Sequence, residues 1–325
     1  MSRFERAILD RFLEGLNARV EGFSPEIPGP AFPPEDRPVI WVVGAPRSGT
    51  TLVSEVLVRA LGVGYVTNLA ARFPGNPVAG LLLSETMRVH GGGARDLEFD
   101  IGKTRGPLGN HEFGMFWTRW LGLDRTADGS HRLGDAERAA VDLAGLSREI
   151  RAMIAAADLP FLFRNVICGL NAALLARAHP RSVFVEVRRD PAETVASILR
   201  CRRERGGGED RWWSLRPSGW RRCVGDPVAQ VARQVAEIRR DLASERARLE
   251  REGTGARWEV VRYEAFCGDP DRGTRRVAAA AGAVGEPPAV RGSAPAILEH
   301  RAAGVAERVR EETARAFEEA GLPLE

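Results

Sequence analysis

The segment with the clearest chemical meaning is a polar loop, Gly44–Thr51, which reads Gly-Ala-Pro-Arg-Ser-Gly-Thr-Thr. It joins an apolar β-branched run, Val39–Val43, to a segment that we predict to be helical from Thr50. Such a turn points backbone N–H groups and the positive end of a helix at one place, so it predicts an anion site; the alternative is a tight structural turn. Loops that bind nucleoside triphosphates carry Lys directly after the second Gly, whereas here Thr50 holds that position and the cation lies earlier, at Arg47.

A second candidate anion contact follows a predicted strand, Ser182–Val187. In an open α/β sheet, ligands bind outside the carboxyl ends of the strands, and Arg189 lies there. Asp190–Glu193 is typical of a helix start, with Asp as the cap, Pro at the first helical position and Glu reaching back to the cap. Ser197 lies two turns into that helix, within reach of the same phosphate. Alone, this pair also fits a solvated Arg and an ordinary helical Ser.

Together, the two segments resemble the sulfotransferases that use 3′-phosphoadenosine-5′-phosphosulfate (PAPS). The loop Gly44–Thr51 is similar to the 5′-phosphosulfate loop of that family, and Arg189 with Ser197 is similar to its 3′-phosphate motif. Pro160–Asn165 resembles the strand whose basic residue faces the sulfonate. Val261–Glu264 resembles a late strand whose Tyr approaches the adenine.

The resemblance covers roughly residues 38–283 and implies roles for the matching residues. The residues in contact with the co-substrate are then Arg47, Ser48, Gly49, Thr50, Thr51, Arg189, Ser197 and Tyr263. The loop would hold the 5′-phosphate, Arg189 and Ser197 the 3′-phosphate, and the tyrosine ring would lie near the adenine. Arg47 and Arg164 would stabilise charge on the bridging and sulfonate oxygens. PAPS would be the co-substrate with no metal required, and the acceptor would be a small molecule with a hydroxyl or an amine.

The resemblance leaves the general base open. Cytosolic members of the family have Lys in the loop and His on the central strand; this chain has Arg47, as in Golgi-type and bacterial members, and no His within Pro160–Asn165. The aromatic segment Asn110–Trp117 contains adjacent His111 and Glu112. We predict Glu112 as the base, because burial among aromatic rings would raise its pKa into a useful range, and His111 as the second candidate. The alternative, compatible with the first, is a helix start whose aromatic residues form core.

Two other functions stay open at the level of sequence. A P-loop kinase of a small molecule would share the loop, but the missing lysine and the lack of a clear Mg²⁺-binding Asp after a strand count against it. A nucleotide-binding module without turnover would share both phosphate contacts. The loop 207–224 contains Trp212, Trp213 and Trp220, which indicates either a wall of the acceptor pocket or packing on the core.

Composition and charge argue against a nucleic-acid-binding protein and against a membrane protein. The chain has 325 residues, 44% of them hydrophobic and 28% charged, as in ordinary soluble globular proteins. The net charge of +3 is too small for a nucleic-acid-binding surface, so an anion site must be local. Lys103 is the single lysine, and we attribute the excess of arginine to compositional bias. Four dispersed cysteines, no secretory pattern and no apolar run of about 20 residues predict a cytoplasmic protein that makes no membrane contact.

The elements that must position these residues alternate along the chain. The predicted strands are Val39–Val43, Pro160–Asn165, Ser182–Val187 and Trp258–Val261. A helix is predicted after each strand, and the helix predicted over Asp135–Ala157 precedes the second strand. This alternation predicts an α/β fold with a central, mostly parallel sheet flanked by helices. We predict an amphipathic helix and a Pro-rich strap over residues 1–37. Residues 38–325 would form one P-loop-like α/β domain ending in a charged helix from about Leu298; the terminal helices could pair in a homo-oligomer.

Overall fold

A computed structural model describes residues 3–20, 37–91, 99–100, 103–123, 129–205, 207–292 and 304–324. The predicted Pro-rich strap lies outside these ranges apart from its last residues, and so does the predicted start of the C-terminal helix at Leu298. Within the described ranges the chain contains seven strands and thirteen α-helices.

The strands are β1 Val39–Gly44, β2 Gly64–Tyr65, β3 Phe99–Asp100, β4 Lys103–Thr104, β5 Phe161–Arg164, β6 Ser182–Arg188 and β7 Arg257–Arg262. The helices are α1 Arg3–Val20, α2 Thr50–Ala60, α3 Pro77–Gly91, α4 Gly114–Trp120, α5 Asp135–Ala140, α6 Leu143–Ala157, α7 Val166–Gly169, α8 Ala172–Ala178, α9 Pro191–Arg205, α10 Pro227–Glu252, α11 Tyr263–Gly268, α12 Pro270–Gly282 and α13 Glu307–Glu319. Two short 3₁₀ helices span Ala70–Arg72 and Trp220–Arg222.

Five strands form one parallel sheet in the order β2-β5-β1-β6-β7, and β3 pairs with β4 in a separate antiparallel hairpin. β1 lies in the middle, where Val39 pairs with Phe161 of β5 on one side and with Ser182 of β6 on the other. Parallel strands end at one edge, so the loop after β1 lies beside Arg164 at the end of β5 and Arg189 after β6. The predicted α/β class with a parallel central sheet is confirmed.

The central strand is buried on both faces, as its apolar run predicts. On one face its alternate residues pack against the apolar sides of α2 and α12. On the other face Trp41 stacks between Phe163 and Phe184, with ring centroids 5.0 and 5.9 Å away. The indole N–H of Trp41 donates to Ser182 Oγ at 2.9 Å, so this large side chain is buried without an unsatisfied donor.

Two predicted helices are each divided by a polar residue. The single helix predicted over Asp135–Ala157 is wrong, because the Asp142 carboxylate accepts from the Gly145 N–H at 2.8 Å and starts α6 as a separate helix. Asp side chains compete in this way with the hydrogen bonds of a continuing helix. The helix predicted after β5 is likewise divided into α7 and α8 next to Asn171, whose buried side chain donates to the His131 carbonyl at 2.9 Å.

We expect Trp41→Ala to lower the free energy of unfolding by about 3–5 kcal/mol, since it removes a fully buried indole from a close-packed aromatic stack. Urea denaturation followed by circular dichroism measures the loss. Phe12→Ala is the control: this side chain is 63% exposed, and its removal should change the free energy of unfolding by less than about 0.5 kcal/mol. A loss of under about 1 kcal/mol for the Trp41 variant would contradict the packing argument.

Candidate active site

The loop after β1 is shaped to expose backbone N–H groups. Gly44, Arg47 and Gly49 all have positive φ angles, of 150°, 69° and 98°. Gly49 occupies the N-cap of α2 and provides no side-chain acceptor for the first N–H groups of the helix. The Ser48 hydroxyl is buried and has no hydrogen-bond partner among the described residues. Donors that are buried and unsatisfied at a helix N-terminus suit an anion.

The second glycine of the loop is required by its neighbour. A Cβ atom at Gly49 would collide with the ring of Tyr263, the first residue of α11. Tyr263 therefore lies directly beside the loop, although it is 214 positions away from Gly49 in the sequence. Burial raises the pKa of Tyr263 to about 12, so the phenol stays a protonated donor near neutral pH.

The two predicted phosphate motifs meet at this edge of the sheet. Arg47 Nε donates to Ser197 Oγ at 3.1 Å, and Arg189 Nη1 lies 3.5 Å from the Arg47 carbonyl oxygen. The Arg189 guanidinium also lies over the Tyr263 ring, 5.1 Å from its centroid. The structure thus brings together Arg47, Arg189, Ser197 and Tyr263.

The carboxylate of Glu193, which was predicted to reach back to the cap of α9, holds Arg189 in place. Glu193 Oε2 accepts from Arg189 Nε at 3.0 Å and from Arg189 Nη2 at 2.6 Å. The two side chains are 13% and 12% exposed, so this pair is largely shielded from water. The prediction that Glu193 reaches back to the helix cap is wrong: the Asp190 N–H donates to Glu264 instead, while Asp190 does cap α9 by accepting from the Glu193 N–H.

Arg164 forms a second cationic centre, next to the first turn of α2. Its guanidinium is 3% exposed, and Nη1 donates to Thr51 Oγ1 at 2.6 Å while Nη2 donates to the Asn110 carbonyl at 2.9 Å. Burial lowers the pKa of Arg164, and the carboxylates of Glu112 and Glu55 oppose that shift. Arg164, predicted to face the sulfonate, therefore contacts the last residue of the loop Gly44–Thr51 directly.

Glu112 also contacts Arg164, but from a partly exposed position. Its Oε1 lies 3.3 Å from Arg164 Nη1, and its side chain is 48% exposed. The prediction that Glu112 is buried among aromatic rings is wrong. Phe113 adopts a left-handed conformation, φ 53°, and turns its own ring into the core with Phe116 and Trp117, so that the preceding Glu112 stays outside. His111 is also exposed, and its Nδ1 accepts from the Phe113 N–H at 2.9 Å.

Sequence reasoning missed two residues that hydrogen-bond to the backbone of residues 110–112. Asn165, just after β5, donates from its side-chain amide to the Glu112 carbonyl at 2.8 Å. Glu55 on α2 is buried and accepts from the Asn110 N–H at 3.2 Å. The one available signal for Asn165 was its position at the end of a predicted strand. Glu55 gave no signal, because a Glu on a helix is ordinarily solvated.

The tryptophan loop supports the packing interpretation. Trp213 packs with residues of α9, α10 and α13, and its carbonyl accepts from the Gln234 side chain at 3.0 Å. Trp212 and Trp220 contact each other edge to face, with ring centroids 6.0 Å apart. In the described part of the chain, no three His, Cys, Asp or Glu side chains are grouped so as to hold a metal ion. No described helix combines the length and apolar character needed to cross a bilayer.

Comparisons with known proteins identify the family of the chain. The family model described as "Sulfotransferase family" matches residues 38–284. No curated protein sequence matches the chain. Among solved structures, sulfotransferase STF9 from Mycobacterium avium is 15% identical, with a TM-score of 0.49 over 82% of this chain and 68% of that one. Sulfotransferase STF1 from Mycobacterium tuberculosis H37Rv is also 15% identical, with a TM-score of 0.49 over 96% and 82% of the two chains.

A third similar structure is the sulfotransferase domain from the curacin biosynthetic pathway, 13% identical, with a TM-score of 0.41 over 89% of this chain and 99% of that domain. These likenesses are too distant to assign residues. The family match is different in kind, because it spans well over half of the chain and includes the loop, Arg164, Arg189 and Tyr263. The chain belongs to the sulfotransferase family.

Proposed function

We propose that this sulfotransferase uses PAPS as donor and transfers the sulfuryl group to a hydroxyl or an amine of a small molecule. One observation carries the proposal: the loop Gly44–Thr51 is joined by hydrogen bonds to a second cationic motif. Arg47 donates to Ser197, and Arg189 donates to the Arg47 carbonyl. The loop itself lacks the lysine of loops that bind nucleoside triphosphates. A single anion needs one such motif. Two adjacent motifs fit a ligand with two separate anionic groups, as PAPS has.

The residues present fit that co-substrate. The unsatisfied Ser48 hydroxyl and the N–H groups of Gly49, Thr50 and Thr51 would hold the 5′-phosphate. Arg189 and Ser197 would hold the 3′-phosphate, and Tyr263 would flank the adenine. Among the described residues no metal-binding cluster accompanies these groups, and none is needed in the proposal because guanidinium groups supply the positive charge.

In the transfer, the acceptor oxygen or nitrogen forms a bond to sulfur while the bond from sulfur to the bridging phosphate oxygen breaks, and 3′,5′-adenosine bisphosphate leaves. Arg47 and Arg164 would stabilise the charge that grows on the bridging and sulfonate oxygens. Arg164 is suited to this because it is buried, where Coulomb interactions are stronger than in water, and because Thr51 and Asn110 fix its orientation.

The acceptor must lose a proton during this step, and we assign its removal to Glu112. The half-exposed carboxylate lies at the rim next to Arg164, so it can reach an acceptor from solvent while staying beside the cation that would face the sulfonate. His111 is the second candidate, because an imidazole titrates near neutral pH without tuning. Its Nδ1 accepts from the Phe113 N–H.

The choice of ligand gives the first test of this function. We expect 3′,5′-adenosine bisphosphate to bind without Mg²⁺ and more tightly than AMP or ATP, since it alone occupies both motifs. At 100 times its Kd it should stabilise the protein by about 2.7 kcal/mol, measured by thermal shift and isothermal calorimetry. Stabilisation by ATP that depends on Mg²⁺, with none by the bisphosphate, would instead indicate a kinase.

The second test separates the two phosphate contacts. Arg189→Ala should weaken binding of 3′,5′-adenosine bisphosphate by roughly 1.5–3 kcal/mol, because a charge-assisted contact to the 3′-phosphate is lost. Binding of AMP, which lacks that phosphate, should change little. Arg203→Ala is the matched control, an exposed Arg near the end of α9, and should affect neither ligand. Equal losses for both ligands would show that Arg189 does not recognise the 3′-phosphate.

The third test concerns the base. Glu112→Gln keeps the shape of the side chain and removes its basicity, so turnover should fall by at least about 100-fold while the bisphosphate binds normally. His111→Ala should lose less. If the Gln variant is active and the folded Ala variant is dead, the two roles are exchanged. Normal turnover in both variants would show that this segment only builds the core.

A further inference from the structure

A second cationic cavity lies at the opposite edge of the sheet from the cofactor loop. Its volume is about 580 Å³, and its walls come from the amino ends of β1 and β6, the face of α6, the turn before β7 and the end of α12. β1 separates it from the loop by six residues at about 3.3 Å each, roughly 20 Å. The cavity is therefore distinct from the site described above.

The chemistry of the walls is that of an anion site. Three arginines, Arg37, Arg151 and Arg181, line the cavity together with His179, and the described lining residues include no carboxylate. Burial lowers the pKa of His179, and the nearby cations Arg151 and Arg181 lower it further. The neutral ring then donates from Nε2 to the Arg37 carbonyl at 3.1 Å and so fixes the start of β1.

Arg37 is the residue that points most directly to a ligand. Its side chain is 13% exposed, and Nη2 pairs with Asp158 at 2.7 Å. The other two nitrogens, Nε and Nη1, are buried and have no hydrogen-bond partner among the described residues. Leaving buried donors of a charged group unsatisfied costs about 1–3 kcal/mol or more, so an acceptor is expected there. Arg181 already donates to the Val284 carbonyl at 2.8 Å, which holds its guanidinium at the cavity wall.

We propose that this cavity binds a small organic molecule bearing a phosphate or sulfate ester, held by Arg37 and Arg181. Guanidinium groups match the tetrahedral oxyanion with paired N–H donors. Ile154, Ala178 and Val284 on the remaining wall would contact an apolar body. The volume lies in the range of small-molecule sites, about 300–1,000 Å³, and is larger than a lone inorganic anion requires.

The test uses the full chain saturated with 3′,5′-adenosine bisphosphate, so that the cofactor loop is blocked, and phenyl phosphate as the probe. Calorimetry should detect binding that is at least fivefold tighter than that of inorganic phosphate. Hydrogen exchange should slow at residues 178–182 and 254–257 and stay unchanged at residues 44–51. Absence of binding, protection confined to residues 44–51, or equal affinity for inorganic phosphate would each overturn the proposal.

Variants supply the second measurement. The double variant Arg37→Gln, Arg181→Gln should weaken phenyl phosphate binding at least tenfold and leave bisphosphate binding unchanged. Arg177→Gln is the matched control, an exposed Arg on neighbouring α8 that does not line the cavity, and should behave as the wild type. Unchanged affinity in the double variant would overturn the assignment; if that variant does not fold, the hydrogen-exchange result on the wild-type chain decides.

Discussion

The arrangement of the site depends on the placement of one guanidinium, that of Arg189. It leaves the sheet after β6, pairs with Glu193 on α9, contacts the Arg47 carbonyl in the loop and lies over Tyr263 on α11. Three elements that are distant in sequence are thereby held around one charge. Tyr263 in turn packs on Gly49, so the shape of the loop and the position of the guanidinium are fixed together.

Glu193 has two opposing effects on the proposed contact between Arg189 and a phosphate. The carboxylate orients the guanidinium through two hydrogen bonds, but it also puts a negative charge, 12% exposed, next to the place assigned to a phosphate. A Coulomb repulsion of this kind is strongest where water is excluded. Orientation and repulsion therefore oppose each other at Glu193, and the affinity for a dianionic group reflects their difference.

The parts of this fold that could be predicted from sequence are those in which a local pattern has one structural meaning. The run before Gly44 is apolar on both faces and became the central strand; the Asp-Pro start of α9 became a helix that carries Ser197 toward the loop. The described part of residues 67–112 contains α3, a two-residue hairpin and an isolated bridge between Thr67 and Asn110. That bridge joins residues distant in sequence, so no local pattern predicts it. The prediction that Glu112 is buried was wrong for a related reason. The aromatic residues around it predicted burial, but the left-handed backbone at Phe113 decides which side chains turn inward, and a non-glycine residue gives no sign of that.

The cations assigned to the cofactor edge, Arg47, Arg164 and Arg189, are all guanidinium groups, and the chain's single lysine is Lys103 on β4. Acetylation, carbamylation and amine-directed dyes neutralise ammonium groups and do not react with guanidinium groups under the same conditions. A sulfotransferase that binds its nucleotide through a loop lysine loses charge at the site when it is acylated. In this chain Arg47, Arg164 and Arg189 are guanidinium groups, so acetylation leaves these three charges unchanged.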